Sequence, residues 1–301
     1  MKSLLFIGGT GFLGQSFFDY LRDGKLKNLD LGKIIIISRK KKIIKSNTVT
    51  KFIKVNITSL KKLPITDYII YAANSSNYIE NIKGIKNFTK IINDEHKKTK
   101  IFFASSGAVY GKSNKKNKFK ENDIISFKKV NKFTGYKKNY ATSKIIIENE
   151  IKKLGKKGFR VSIGRLFTFI GKRILVNNNF ALSNLLNQAQ NQKAKHIILK
   201  SKNEVYRSYM NSNDLIRWII KILKKSSPKC EIYNIGSDEV TKLSRLSKLI
   251  ANKFDKKVLF KEKKNTFKST DFYVPSISKA KRKLNLSLKF NLKKSLNNLY
   301  K

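Results

Sequence analysis

Three groups of residues in this sequence have the types and spacing of a reaction centre. Gly8-Gly9-Thr10-Gly11-Phe12-Leu13-Gly14 follows an apolar run and opens onto a helical pattern, with glycine recurring at every third position. Glycine allows a tight turn and close backbone approach to a pyrophosphate. The helix that follows aims its unsatisfied N–H groups and positive dipole end at that charge. Gly8, Thr10, Gly11, Phe12, Leu13 and Gly14 are therefore candidate dinucleotide-binding residues. The second group is Tyr140-Ala141-Thr142-Ser143-Lys144. A Tyr and a Lys four apart share one helix face, so the ammonium is placed to lower the phenol pKa and make a general base. The third is Ser105-Ser106-Gly107-Ala108-Val109-Tyr110-Gly111, whose Ser106 hydroxyl is a candidate for binding the substrate oxygen that exchanges the proton.

Ser38-Arg39-Lys40 stands where a dinucleotide fold sorts its coenzymes. A carboxylate there accepts from the ribose 2′-hydroxyl of NAD, whereas a cation accommodates the 2′-phosphate of NADP. With an arginine and no acid at this point, the sequence leans to NADP over NAD, and Ser38 and Arg39 join the candidate coenzyme residues.

These groups need a scaffold, and the chain supplies one. Short β-rich runs at 4–7, 34–37, 52–55, 68–72, 101–104 and 161–163 alternate with helical patterns at 13–21, 79–92 and 140–154. That alternation predicts an α/β fold, a doubly wound parallel sheet buried on both faces. Past Gly171 the pattern lengthens into helices at 180–190, 214–223 and 243–254, broken by a brief strand at 232–235. We expect a dinucleotide-binding domain at 1–167, to which segments near 205–235 return, and a smaller substrate-binding lobe at 168–301. The segment 112–138 is polar and without clear period, which predicts a long exposed loop.

Composition limits the alternatives. The net charge of +48 on 301 residues would ordinarily point to a polyanion, but 58 of the 67 basic residues are lysine, scattered among Ile and Asn. Phosphate and nucleic-acid recognition favours the guanidinium fork, and no aromatic residues interleave the lysines as a stacking platform requires. Nucleic acid is not the expected partner. The rival reading is an inactive dinucleotide-binding scaffold that holds RNA or another polyanion through its lysines. It predicts a clustered basic face and steep salt dependence. The single cysteine, Cys230, excludes an intramolecular disulfide framework and points to a cytoplasmic location, while two histidines 100 positions apart give no zinc spacing. No apolar run reaches the roughly 18 residues of a membrane span.

The order of these landmarks resembles the extended short-chain dehydrogenase/reductases, within the NAD(P)-dependent epimerase/dehydratase group that acts on nucleotide sugars. The resemblance runs from Gly8 to about Phe254. Besides the three motifs above it takes in Tyr71-Ala72-Ala73, Asn81-x-x-Gly84-x-x-Asn87, Arg165, Gly171-Lys172-Arg173, Arg207-Ser208-Tyr209 followed by Asp214, and Tyr233-Asn234-Ile235-Gly236. It implies a Rossmann-type fold with Tyr140 as acid/base, Lys144 bridging the coenzyme ribose and tuning Tyr140, and Ser106 on the reacting sugar oxygen. It also implies coenzyme contacts from Asn56, Ile57, Ala72 and Ala73, and substrate contacts from Thr168, Arg173 and Arg207, the last on the diphosphate. A homodimer through the helices at 79–92 and 140–154 is implied too. The apolar face of Ile145, Ile146, Ile147, Ile151 and Leu154 would serve either that partner or the core.

Departures from the pattern narrow the activity. Gly107 and Ala108 stand where 4,6-dehydratases of the family carry an acid. Tyr71 replaces a usual histidine, Thr168 an asparagine and Asn56 an adenine-contacting aspartate. The interval from Ser106 to Tyr140 is longer than usual, which brings the segment 112–138 to the substrate mouth. The expected activity is epimerisation of a nucleotide-diphosphate sugar or reduction of a 4-keto sugar, by hydride transfer at a sugar carbon.

Overall fold

The computed structural model describes residues 1–26, 29–40, 48–112, 117–173, 181–201, 203–261 and 270–299. Its first half alternates β1 (Lys2–Ile7), α1 (Phe12–Arg22), β2 (Leu31–Ser38), β3 (Val49–Lys54), β4 (Tyr68–Tyr71), α2 (Tyr78–Ile91), β5 (Lys100–Ser106), a short α3 (Phe127–Val130), α4 (Gly135–Lys156) and β6 (Arg160–Leu166). The second half contains β7 (Phe169–Ile170), α5 (Ala181–Gln190), β8 (His196–Leu199), β9 (Glu204–Arg207), β10 (Met210–Asn211), α6 (Ser212–Lys224) and β11 (Glu231–Ile235). It closes with β12 (Thr241–Lys242), α7 (Leu243–Lys253), β13 (Lys257–Phe260), β14 (Thr270–Tyr273), α8 (Ser278–Leu284) and α9 (Leu292–Asn297).

Seven strands form one sheet in the order β11-β6-β5-β4-β1-β2-β3. Every pairing in it is parallel. The fold is therefore the doubly wound Rossmann type, and β1 lies between β2 and β4 at the point where strand order reverses, the place at which such sheets bind ligands. Alternate residues of each strand face opposite sides. Leu4, Phe6, Ile34, Ile36, Ile70 and Phe102 pack with Phe17, Leu215 and Trp218 on one face. Leu5, Ile7, Ile35, Ile37, Ile69 and Phe103 pack with Ile85, Phe88, Ile147 and Ile151 on the other. Each such side chain, removed from water, contributes about 1.5–3 kcal/mol. Both faces are covered, which is why the strands read as unbroken apolar runs rather than alternating ones.

Ile145, Ile147, Ile151 and Leu154 are buried within the subunit, so most of the apolar face expected on α4 is core. A further apolar cluster joins Ile170, Leu182, Leu185, Leu186, Ile197, Leu246, Ile250 and Leu296 around α5, α7 and the parallel pair β8–β13. Asp214 in the first turn of α6 ties the C-terminal segment down, accepting from the Lys289 and Phe290 amides at 2.9 and 3.1 Å and from Arg217 at 2.7 Å.

The segment 112–138, expected as an exposed loop, is partly built into the protein; its residues 113–116 lie outside the described ones. Phe119 is buried, stacks on Tyr110 at 4.9 Å between ring centres and donates its amide to the Val274 carbonyl at 2.9 Å. α3 and the first turn of α4, which begins at Gly135 rather than Tyr140, take up part of the rest. Phe119 and Val130, both buried, anchor the segment among its lysines, but their spacing leaves no period to read. Among the described residues no helix is long and apolar enough to cross a membrane, and no His, Cys, Asp and Glu cluster could hold a metal ion. Cys230 is buried, and burial pushes its thiol up to about 12.

Candidate active site

The glycine turn leaves β1 at its C-terminal end and enters α1. Gly8 has φ +83°, and a Cβ there would lie 2.5 Å from the Ala73 amide nitrogen, so Ala73 after β4 closes directly over the turn. A Cβ on Gly14 would collide with the Gly9 carbonyl, which lets α1 sit tight on the turn. Gly11 differs: a Cβ there meets only the Gly8 carbonyl at an ordinary 3.5 Å. Gly11 caps α1 with no side-chain hydrogen bond, and no acid stands in the first helical turn. An uncapped helix start approached through glycine fits the pyrophosphate of a dinucleotide. Phe12 and Leu13 begin that helix.

The adjoining strand ends complete the cradle. Thr10 Oγ1 and Ser38 Oγ lie 2.6 Å apart, which joins the glycine turn to the end of β2. The next residue, Arg39, places Nη1 2.9 Å from both carboxylate oxygens of Glu80 in α2. Asn56, after β3, donates to the same carboxylate at 2.6 Å. Ile57 is buried beside it. The Asn81, Gly84 and Asn87 motif explains itself structurally. Asn81 exchanges hydrogen bonds with the Ser75 backbone, Gly84 lets α2 approach Ile57 and Tyr71, and Asn87 donates to the Ile57 and Leu60 carbonyls. Tyr71 itself is wholly buried between Phe88 and Phe103, and burial raises its pKa.

Ser106, Tyr140 and Lys144 converge where β5 ends against α4. Ser106 caps the turn at 107–110, its hydroxyl accepting from the Ala108 amide at 3.2 Å. Burial pushes the Tyr140 phenol up to about 12, against the opposing influence of the Ser106 hydroxyl. Lys144 is buried and donates to the Ala104 carbonyl at 3.1 Å, with its Nζ 5.6 Å from the centre of the Tyr140 ring. Burial lowers its pKa to about 8, against the opposing pull of Glu148. The spacing alone predicted a phenol acidified by its lysine. In this geometry the Lys144 ammonium donates to a carbonyl, and burial keeps the phenol protonated at pH 7.

Behind these groups lies a buried polar network. Arg165 of β6 donates to the two Glu148 oxygens at 3.0 and 2.8 Å and to the Tyr110 hydroxyl at 3.0 Å, and Ser105 donates to Glu148 at 2.6 Å. Tyr110 in turn donates to Asn234 of β11 at 2.8 Å.

Arg207, expected on the diphosphate, and Arg173, expected on the substrate, both hold carboxylates here. Arg207 of β9 donates to Asp271 Oδ2 at 2.6 Å, and Arg173 forms two 2.7 Å bonds to Asp19 of α1. Thr168 follows β6, its carbonyl accepting from the Met210 amide at 3.1 Å. One residue at the centre carries no local sequence signal. Tyr273 of β14 joins the same cluster, its phenol feeling the Ser106 hydroxyl and the Tyr140 phenol, with its ring 4.6 Å from Phe167 and 5.7 Å from the Arg207 guanidinium.

A family model described as the NAD dependent epimerase/dehydratase family matches residues 4–236. The chain belongs to this family. It is thereby an enzyme of the extended short-chain dehydrogenase/reductase type, in a family that uses NAD. No curated protein sequence matches it. Among solved structures it is similar to a dTDP-glucose 4,6-dehydratase from Bacillus anthracis in complex with NAD, with TM-score 0.77, 18% identity and coverage of 99% of this chain and 95% of that one. It is also similar to an ADP-L-glycero-D-manno-heptose-6-epimerase from Helicobacter pylori (TM-score 0.76, 17% identity, 99% and 95% coverage). A UDP-glucose 4-epimerase from Thermotoga maritima with UDP-glucose is comparably close (TM-score 0.74, 19% identity, 99% and 96% coverage). At these identities the likeness to each structure is one of fold. The glycine turn, Ser106, Tyr140 and Lys144 all lie within the span that the family model covers.

Proposed function

We propose that this epimerase/dehydratase-family member acts on a nucleotide-diphosphate sugar as an epimerase, with Ser106, Tyr140 and Lys144 as its catalytic residues. The observation that carries this reading is the junction of β5 and α4. There the buried Ser106 lies beside the Tyr140 phenol, and Lys144 follows one helical turn later with its Nζ 5.6 Å from that ring. Ser106 binds the sugar oxygen; Tyr140, after losing its own proton to solvent, takes the hydroxyl proton as phenolate when a carbonyl forms and returns it when the hydroxyl is restored. Lys144, whose pKa near 8 leaves it cationic at pH 7, holds the ribose and stabilises the phenolate as it forms. NAD, when bound, supplies the acceptor and donor of hydride. Gly8, Thr10, Gly11, Phe12, Leu13, Gly14, Ser38, Asn56, Ile57, Ala72 and Ala73 would hold it.

Arg207 binds the substrate diphosphate by exchanging Asp271 for phosphate oxygens. Asp271, which burial alone would render less acidic, is kept ionised by that arginine until then. Residues 168–301 supply most of the substrate lobe, Thr168 and Arg173 included. Gly107 and Ala108 offer no carboxyl for the elimination that a 4,6-dehydratase performs. Reduction of a 4-keto sugar is the second reading. Arg39 favours it, because an arginine at the end of β2 suits an exchangeable NADP.

The reading includes a cytoplasmic homodimer through α2 and α4. Since Ile145, Ile147, Ile151 and Leu154 serve the core, Ile146 and its polar neighbours would face the partner. The test is to denature natively purified, nuclease-treated protein, identify the released dinucleotide by mass spectrometry, and assay UDP-, dTDP- and ADP-hexoses for inversion. Retained NAD with inversion of a sugar supports the epimerase. Consumption of added NADPH by a 4-keto sugar without inversion supports the reductase. Absence of any dinucleotide binding refutes both.

A further inference from the structure

The end of β2 lacks an acid in sequence, but not in space. Glu80, in the first turn of α2, lies between the ends of β2 and β3 and accepts from Arg39 Nη1 at 2.9 Å on both oxygens and from Asn56 Nδ2 at 2.6 Å. Asn77 fixes the helix start from which it projects, accepting from the Ile79 and Glu80 amides at 2.9 and 3.2 Å. The contact between Thr10 and Ser38 places this cluster beside the glycine turn, at the adenosine end of the cradle.

We propose that Glu80 is a coenzyme-selecting residue: by holding Arg39 in an ion pair it turns an arginine that would receive a 2′-phosphate into the partner of a carboxylate, and so biases the site toward NAD. The inference rests on the dinucleotide reading above and concerns its choice of ligand. A 2′-phosphate brings close to two negative charges and several acceptor oxygens. To use Arg39 it must displace Glu80, and while Glu80 stays it repels the phosphate. A ribose 2′-hydroxyl meets neither obstacle, and a carboxylate is the group that accepts from it in NAD sites. Hydrogen bonds from Ser75 and Asn56, with the Arg39 charge, hold the Glu80 carboxyl below the usual range, so it stays ionised at neutral pH.

Calorimetric titration of NAD and NADP into the full-length protein tests this in the wild type, Glu80→Gln, Arg39→Ala and the double variant. The wild type should bind NAD more tightly. Glu80→Gln should shift the affinity ratio toward NADP by about fivefold, the worth of one exposed ion pair. That gain should vanish when Arg39 is also alanine. A wild type that prefers NADP, an unchanged ratio in Glu80→Gln, or the same gain without Arg39 overturns the inference and leaves the dinucleotide site standing. Failure of every form to bind either nucleotide removes the site itself and the inference with it.

Discussion

Glu148 and Arg165 form a fully buried ion pair, with both carboxylate oxygens engaged at 3.0 and 2.8 Å. The pair connects the machinery: Glu148 lies one turn beyond Lys144 on α4 and accepts from Ser105, the neighbour of Ser106. Arg165 reaches Tyr110 and, through it, Asn234 of β11. Removing one partner strands a buried charge, which costs far more than replacing both. Glu148→Gln should therefore lose about 3–5 kcal/mol in urea unfolding, and Glu148→Gln with Arg165→Met should recover most of it. A single-variant loss under about 0.5 kcal/mol, the range of ordinary surface substitutions, would contradict this.

Two glycines of the same turn should behave differently. Gly14→Ala drives a methyl into the Gly9 carbonyl and should unfold the turn, lowering thermal stability. Gly11→Ala has room within the protein, so its melting temperature should stay near that of the wild type. Its methyl would stand where the pyrophosphate approaches the start of α1, and NAD affinity should fall at least about tenfold, a cost near 1.4 kcal/mol. Thermal melts beside calorimetric titration separate the two effects.

Acid stability should carry a contribution from Asp67. Burial pushes its pKa up, but hydrogen bonds from Lys2 and from the Ser3 amide and hydroxyl outweigh that and hold it at about 2, against 3.8 unfolded. A depressed carboxyl stabilises above its unfolded pKa and loses that contribution as pH falls through its folded value. Asp67→Asn should be less stable than the wild type above about pH 4, and the two curves should converge as pH approaches 2. Urea midpoints measured across that range check it.

The strands were legible because parallel sheets bury both faces: the runs at 34–37 and 101–104 are wholly apolar and lie inside β2 and β5. The glycine turn, Ser106, Tyr140 and Lys144 were legible because each motif is local. Glu148 had a signal that went unread, an acid at the next i+4 position of a helix face whose neighbours are isoleucines. Tyr273 had none. It meets Ser106 only because β14 pairs with β9, a contact across more than half the chain that no local pattern announces. Glu80 was hidden likewise, since its partners Arg39 and Asn56 lie at the ends of other strands. Arg39 taken alone therefore read as a free cation.

The hydroxyl of Tyr140 tests the account most directly. Wild type and Tyr140→Phe should be compared for NAD binding and for turnover of the nucleotide sugar that the wild type inverts. The substitution removes one oxygen, leaves the ring stacked on Tyr136 and spares the glycine cradle. NAD affinity should be retained while kcat falls by about 10²–10⁴-fold, the contribution of a positioned acid/base. Equal turnover in the two proteins would contradict the assignment of Tyr140, and with it the reaction proposed for this site.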